Sequence, residues 1–378
     1  MGPLQGTRII EIAGLGPGPF AGMVLADMGA EVIRVERPGG GMFAGNPDYD
    51  YLNRGKRCIA INLKSESGVA TVIKLSKTAA GIFEGFRPGV AEKLGIGPEV
   101  VTRANPKLVY GRMTGWGQEG PLAQSAGHDI NYISIAGALH PLGQKGSKPM
   151  IPLNLVGDFG GGGLMLAFGM VCALYEAKNS GLGQVVDAAM VDGAALLMAS
   201  LFGAQQVGFW SEERGTNMLD SGAHFYDTYE CADGEYVSVG AIEPQFYAEL
   251  LTGLGLNPKD LPQQMDMASW TGMKKRFSET FKTRGRDEWV AIFAGKDACV
   301  APVLKMSEVG QHPHIKARET LIDLEGHLQP APAPRYSRTK PEINHRAAEI
   351  GEHTNDILGE LGLSTAEIEQ FRAQGIVT

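Results

Sequence analysis

Arg8-Ile9-Ile10-Glu11-Ile12-Ala13, followed by Gly14-Leu15-Gly16-Pro17-Gly18-Pro19, decides how the chain begins to fold. The first six residues are rich in β-branched side chains and predict a strand. The glycine and proline cluster is a turn, and the residues after it read as a helix that runs to Met28 and stops at Gly29. Residues 31–35 then read as a second strand, which makes a β-α-β unit and an α/β fold. Working outward, residues 59–63, 81–86 and 109–113 are further short β runs. They alternate with helical stretches such as residues 67–77, which favours a parallel sheet covered by helices.

The turn also imitates a dinucleotide fingerprint. Gly16, Gly18 and Ala21 fit G-x-G-x-x-A, and Glu36 stands about twenty residues on, where a ribose-binding acid belongs. Pro17 and Pro19 argue against it, because each removes a backbone N–H that should face the pyrophosphate. A different pattern emerges at the strand ends, where Arg37, Lys64 and Arg87 recur with Lys93 six residues beyond. Any one of these reads as a solvated surface charge. Four at the carboxyl edge of one sheet point to a phosphate-rich ligand.

The chain has 378 residues, 43% hydrophobic and 20% charged, enough for two or three domains and ordinary for a soluble enzyme. Its formal charge of −8 gives no reason to expect nucleic acid or an anionic membrane as partner, so an anionic ligand needs a local basic patch. Cys58, Cys172, Cys231 and Cys299 are scattered and read as reduced, mostly core thiols. No leader pattern opens the chain, no apolar run looks long enough to span a membrane, and Gly375-Ile376-Val377-Thr378 is not a peroxisomal signal. The expected location is cytoplasmic. No histidine pair has metal-ligand spacing, so no metal is expected.

Beyond residue 184 the pattern gives a strand to Met190 and one long apolar helix over residues 192–206. Residues 225–230 and 235–239 flank Ala232-Asp233-Gly234 as a hairpin, and Pro244 starts a helix directly after Glu243. Helices around Trp270 and Trp289 and a strand over residues 299–303 complete a smaller α+β domain. The expected divisions are a large α/β domain at 1–209, a linker at 210–223, the small domain at 224–320, and a linker with a return to the large domain at 321–378. Residues 328–334 hold three prolines and read as extended. Gly351-Glu352-His353-Thr354 opens a helix stopped by Gly362, and Ser364 to Glu367 form a capping box for a last one ending at Gln374.

Two polar clusters carry the chemistry. One is Gly127-His128-Asp129-Ile130-Asn131-Tyr132; the other is Gly157-Asp158-Phe159-Gly160-Gly161-Gly162-Gly163, which leads into an apolar stretch reading as a helix buried on every face. Asp158 stands at or near that helix start, with the glycines letting a ligand approach the first turn. Alone it reads as an N-cap; with His128 in a second glycine-led turn, a catalytic pair is the better reading. The backbone amides near Gly127 or at that helix start would serve an oxyanion. A helix N-terminus favours the Asp158 carboxylate while burial favours the acid, and the sequence leaves that balance open. Met190, Met198 and Met218 would suit an apolar acyl group or a core.

These two clusters, with Met113-Thr114-Gly115-Trp116-Gly117-Gln118-Glu119-Gly120-Pro121, resemble the family III CoA-transferases, and within them the α-methylacyl-CoA racemase branch. His128 suggests the branch, since the transferases carry tyrosine there. Gly222-Ala223-His224-Phe225-Tyr226-Asp227 and the stretch from Val239 to Tyr247 match it too, although His224 replaces a proline, a change of substrate shape or of surface only.

The resemblance implies an interlocked homodimer with a Rossmann-like large domain and a small domain. It implies a racemase of 2-methyl-branched acyl-CoA thioesters in lipid metabolism, with no cofactor apart from the CoA of the substrate. His128 and Asp158 would exchange the α-proton through an enolate, with Glu243, from the partner subunit, holding the imidazole. CoA would lie against Arg37, Ile61, Asn62, Leu63, Lys64, Gly85, Phe86, Arg87 and Lys93 (arginine in the family), and against Gly127, Asp129, Ile130, Asn131 and Tyr132. Two rivals remain: an acyl-CoA:carboxylate CoA-transferase with Asp158 as nucleophile, and a non-catalytic acyl-CoA carrier.

Overall fold

In the computed structural model, which describes residues 2–41 and 45–378, the opening stretch forms strand β1 (Arg8–Ile12), helix α1 (Pro17–Asp27) and strand β2 (Glu31–Glu36). The two strands pair in parallel, Ile10 opposite Ile33. Next come β3 (Arg57–Ala60), α2 (Glu66–Ser76), β4 (Gly81–Glu84), the short α3 (Val90–Lys93), α4 (Pro98–Ala104) and β5 (Val109–Thr114). A helix α5 (Asp129–Ile135), a long helix ending in α6 (Leu164–Ser180), β6 (Val185–Ala189) and α7 (Met190–Leu197) follow.

All five strand pairings are parallel, in the order β3-β2-β1-β4-β5-β6. Its strands carry Ile, Val and Phe on both faces, as a sheet covered on both sides requires. The order reverses between β1 and β4, so a crevice opens beyond their carboxyl ends.

This unit comprises residues 1–136, 153–197 and 319–378. Strand β3 ends at Ala60, earlier than expected, because Ile61 bridges Val377 and the Asn62 amide donates to the Ile376 carbonyl at 2.8 Å. The proline-bearing stretch is not simply extended: Leu321–Leu324 and His327–Pro330 pair as a hairpin. Its two-residue turn, Glu325 at φ 55° and Gly326 at φ 88°, has the left-handed backbone that such hairpins need.

The helix before α6 corrects three expectations. Leu155–Gly163 has π geometry and continues directly into α6, so residues 155–180 are one helix of 26 residues, long and apolar enough to cross a membrane by length and composition. Only one face is buried by the unit, through Leu166, Met170, Ala173 and Ala177. Leu164, Phe168, Val171 and Tyr175, at i, i+4, i+7 and i+11, face outward, with Phe168 64% and Tyr175 70% exposed. An all-apolar sequence cannot tell a covered face from an open one.

The glycines are packing positions. A Cβ on Gly161 would lie 2.6 Å from the Ala194 nitrogen, one on Gly162 2.8 Å from Met190 Cγ, and one on Gly163 2.5 Å from the Pro17 carbonyl. They admit α7 and α1, where a ligand had been expected.

The second unit comprises residues 137–152 and 198–318, so residues 137–152 and 198–223 cluster here. Helix α8 (Ala199–Gln206) is separate from α7, broken at Met198, where no proline or glycine marked the join. Strands β7 (Tyr226–Glu230) and β8 (Tyr236–Gly240) form the expected hairpin, followed by α9 (Pro244–Leu254), α10 (Trp270–Phe281), α11 (Arg286–Phe293) and β9 (Val300–Pro302). The antiparallel sheet β7-β8-β9 packs with the helices around Phe225, Leu250, Phe277, Phe281 and Trp289. Residues 210–223 are tied down by Asn217, whose side chain accepts from Ser211 N at 2.7 Å and donates to Ser211 O at 2.9 Å.

Candidate active site

A cavity of about 660 Å³ lies beyond the carboxyl ends of β1 and β4. The loop after β1 (Gly14 to Gly18) and the loop after β4 (Gly85 to Pro88) form two walls, and Gly127, His128, Asn131, Tyr132 and Asp158 close it. Both polar clusters therefore open on one crevice, at the reversal of strand order.

His128 stands at the N-terminal cap of α5. Its amide donates to Asn131 Oδ1 at 3.1 Å, and its carbonyl accepts the Asn131 amide at 2.8 Å. This reciprocal pair fixes the turn that presents the imidazole. Tyr132 backs it: its hydroxyl donates to the Gly127 carbonyl, and its ring meets Trp116 edge-on at 4.8 Å. Gly115 and Gly127 leave no room for a Cβ against that ring.

Asp129 faces away from ligand space. Its buried carboxylate accepts the Asp158 amide at 2.7 Å, and Gly157 must be glycine because a Cβ there would lie 2.4 Å from Asp129 Oδ2. Asp158 is in the first turn of the long helix, and Asn154, one turn back, donates to its Oδ2 at 3.0 Å. Burial raises the Asp158 pKa, opposed by the Asn154 hydrogen bond and by His128, and reinforced by Asp129. Burial is the largest of these influences, and the net direction is towards the acid.

Across the cavity, a Cβ on Gly16 would sit 3.1 Å from Asp158 Oδ2, and Gly16 has φ 64°. The glycine of the apparent fingerprint makes room for a carboxylate. Glu36 is buried in an ion pair with Arg34 and accepts the Arg37 amide at 2.9 Å, so its carboxylate is already engaged.

The amides proposed as oxyanion donors need correction, since those of His128 and Asp158 already donate to Asn131 and Asp129. The basic residues are divided among three hollows, two of which adjoin. Gly85, Phe86 and Arg87 line the main cavity; Arg37 lines a second of about 500 Å³ that shares Gly14, Leu15, Gly16 and Phe86 with it. Leu63, Lys64 and Lys93 line a third. Ile61 is wholly buried, Asn62 Oδ1 caps the Lys64 amide, and Ile130 is exposed.

Beneath Phe86, the buried Glu84 accepts its amide at 2.6 Å, and burial pushes the Glu84 carboxyl up to about 7. Among the acyl-pocket candidates, Met190 lines this cavity, Met198 lines a cavity within the second unit, and Met218 packs on that unit's core.

Glu243 belongs to the second unit, exposed at the head of α9 just before Pro244. His224 is no surface change: it is fully buried there, and burial lowers its pKa to about 4. Sequence reasoning missed Asn154, the anchoring role of Asp129, and Glu84; only the i, i+4 spacing of Asn154 and Asp158 was a readable signal. Cys58 and Cys231 are buried, but Cys172 and Cys299 are exposed rather than core.

The sequence matches CoA-transferase family III over residues 4–354. It is 49% identical over 377 residues to an alpha-methylacyl-CoA racemase of Mus musculus, covering 99% of this chain and 97% of the relative. The Homo sapiens alpha-methylacyl-CoA racemase is 48% identical over the same shares. A succinyl-CoA:glutarate CoA-transferase of Homo sapiens is 29% identical over 99% of this chain and 90% of its own. Among solved structures, a CAIB/BAIF family protein from Brucella suis superposes with a TM-score of 0.83 at 27% identity, covering 95% of this chain and 99% of that one.

Proposed function

The chain belongs to CoA-transferase family III, and from that premise we propose that it is a racemase of 2-methyl-branched acyl-CoA thioesters. One observation carries the choice of reaction: His128 and a carboxyl group with a raised pKa, Asp158, open on one cavity in a chain 48–49% identical to racemases. Removing a proton beside a thioester carbonyl and replacing it on the other face needs a base and an acid. His128 serves as base; Asp158, held towards its acid form by burial, returns the proton. In the reverse direction the roles exchange. A transferase would instead use Asp158 as a nucleophile on the thioester carbonyl.

Arg37, Lys64, Arg87 and Lys93 would meet the CoA phosphates, and Met190 the branched acyl end. Glu243 would accept the imidazole N–H and fix its tautomer. A homodimer, supported by the exposed apolar stripe of α6, would cover Leu164, Phe168, Val171 and Tyr175 and bring Glu243 from the partner subunit. The proposed location is cytoplasmic, and the reaction needs no cofactor beyond the CoA of the substrate.

The test is proton NMR of a 2-methylacyl-CoA incubated with the protein in heavy water, without an acceptor acid. Deuterium should enter the α-carbon and both epimers should accumulate. An untouched α-proton, together with CoA moved onto an added carboxylate, would establish the transferase instead.

A further inference from the structure

Glu243 precedes Pro244, so the backbone enters α9 with one rotatable angle fixed. On the chain before it, Gln264 Nε2 donates to the carbonyls of Ala241 and Ile242 at 2.9 and 2.8 Å. Trp270 Nε1 holds Gln264 in turn, through its carbonyl, at 2.9 Å. One turn into the helix, the Tyr247 amide donates to the Glu243 carbonyl at 2.9 Å. The Glu243 backbone is thus clamped before and after, while its side chain is free of its own helix.

The second clamp depends on what holds Tyr247. Its hydroxyl makes a 2.8 Å hydrogen bond with His224 Nε2, and both side chains are buried. The His224 ring meets Phe225, Tyr247 and Phe277 edge-on, with centroids 5.1, 5.5 and 5.1 Å apart. Its carbonyl accepts the Tyr229 hydroxyl at 2.5 Å. Among the described residues Nδ1 has no partner, which is costly for a buried polar atom. A phenylalanine would fill an aromatic pocket of this kind without that cost. The one hydrogen bond that the His224 ring makes among the described residues is to Tyr247.

We infer that His224 and Tyr247 are positioning residues for racemisation, setting the first turn of α9 so that Glu243 is delivered in one orientation. The inference rests on the role assigned to Glu243 above. It makes an aromatic core pair in the second unit a determinant of turnover rather than of CoA binding, which the first unit's basic edge supplies.

The test uses the full-length protein and solvent exchange of a 2-methylacyl-CoA. Tyr247→Phe removes one oxygen and keeps the ring; His224→Phe keeps an aromatic in the pocket. Each should lower kcat by about 10-fold while KM and CoA affinity stay unchanged. On a Glu243→Gln background neither should cause a further loss, because nothing remains to be oriented. If Glu243→Gln lowers turnover but Tyr247→Phe does not, the positioning role is wrong and the role of Glu243 stands. If Tyr247→Phe still costs its full factor in the Glu243→Gln background, the pair acts elsewhere and the inference falls. If Glu243→Gln itself leaves turnover intact, both readings fall together.

Discussion

Replacing Gly193 with alanine tests whether the glycines near Asp158 serve packing or ligand access. A Cβ on Gly193 would lie 1.8 Å from the Gly161 carbonyl oxygen, and ordinary contact begins at 3.4 Å, so α7 and the π segment must part by the difference, roughly 1.6 Å. The contact is backbone to backbone, and no side chain can swing aside. Alanine gains about 1 kcal/mol of helix propensity over glycine. Overpacking costs about 1–3 kcal/mol, and a 1.8 Å contact with backbone belongs at the upper end, so about 2 kcal/mol of destabilisation remains. The larger consequence is geometric: Asp158 rides on the segment that moves, and a misplacement of about 1 Å costs on the order of 100-fold in rate.

Gly160→Ala is the control, since its Cβ would meet the Leu155 carbonyl at 3.1 Å and a movable Leu197 methyl at 3.3 Å. The assays are urea denaturation and solvent exchange at the α-carbon. Gly193→Ala should lose stability and about 100-fold in turnover; Gly160→Ala should lose little of either. Equal tolerance of both, or a Gly160 variant worse than the Gly193 variant, would refute the packing argument and restore the idea of glycines kept for ligand approach.

Three other outcomes are expected. Glu84 has a folded-state pKa of about 7 against an ordinary 4.5, so its contribution is full below 4.5 and lost as pH rises through 7. Glu84→Gln should therefore stabilise the protein at pH 8, by up to about 3 kcal/mol, and do little at pH 4.5, as denaturant titrations at the two pH values would read. His224 runs the other way: with a folded pKa of about 4 against 6.5, it leaves the folded state disfavoured as pH falls below 6.5, levelling off below 4. The wild type should lose more stability than His224→Phe between pH 7 and 4.5; parallel losses would contradict the burial argument. Neutralising Arg37, Lys64 or Arg87 should each weaken CoA binding in titration calorimetry, and added salt should weaken it in the wild type; unchanged affinity in all three would leave them as plain surface charges.

The α/β order was readable because β-branched runs and glycine stops recur at short intervals from Arg8 to Met113. The crevice followed from it, since parallel strands share one carboxyl edge. The uses of the glycines were not readable. Gly16 accommodates Asp158, Gly157 accommodates Asp129, and Gly161 meets Gly193, contacts between residues 28 to 142 positions apart. Composition at each glycine is the same whether ligand or backbone approaches it. The break at Met198 carried no breaker residue, and the turn at Glu325-Gly326 was obscured by the prolines after it. His128 and Asp158 stood out as polar residues among glycines; Asp129 was legible as polar but not as the group that anchors Asp158.

The bridge between Ile61 and Val377 has a bearing on synthesis. A chain leaving the ribosome would present β3 as the open margin of a five-stranded-or-larger sheet long before residue 377 emerges to cover the stretch just past it. Asn62 then waits for Ile376, and the packing of Ile357 and Leu358 beside Ile59 and Ile61 waits with it. Nascent chains with uncovered sheet margins invite wrong partners. Deleting residues 376–378 would make that vulnerable interval permanent, and polysome-associated aggregation is where its effect would first be felt.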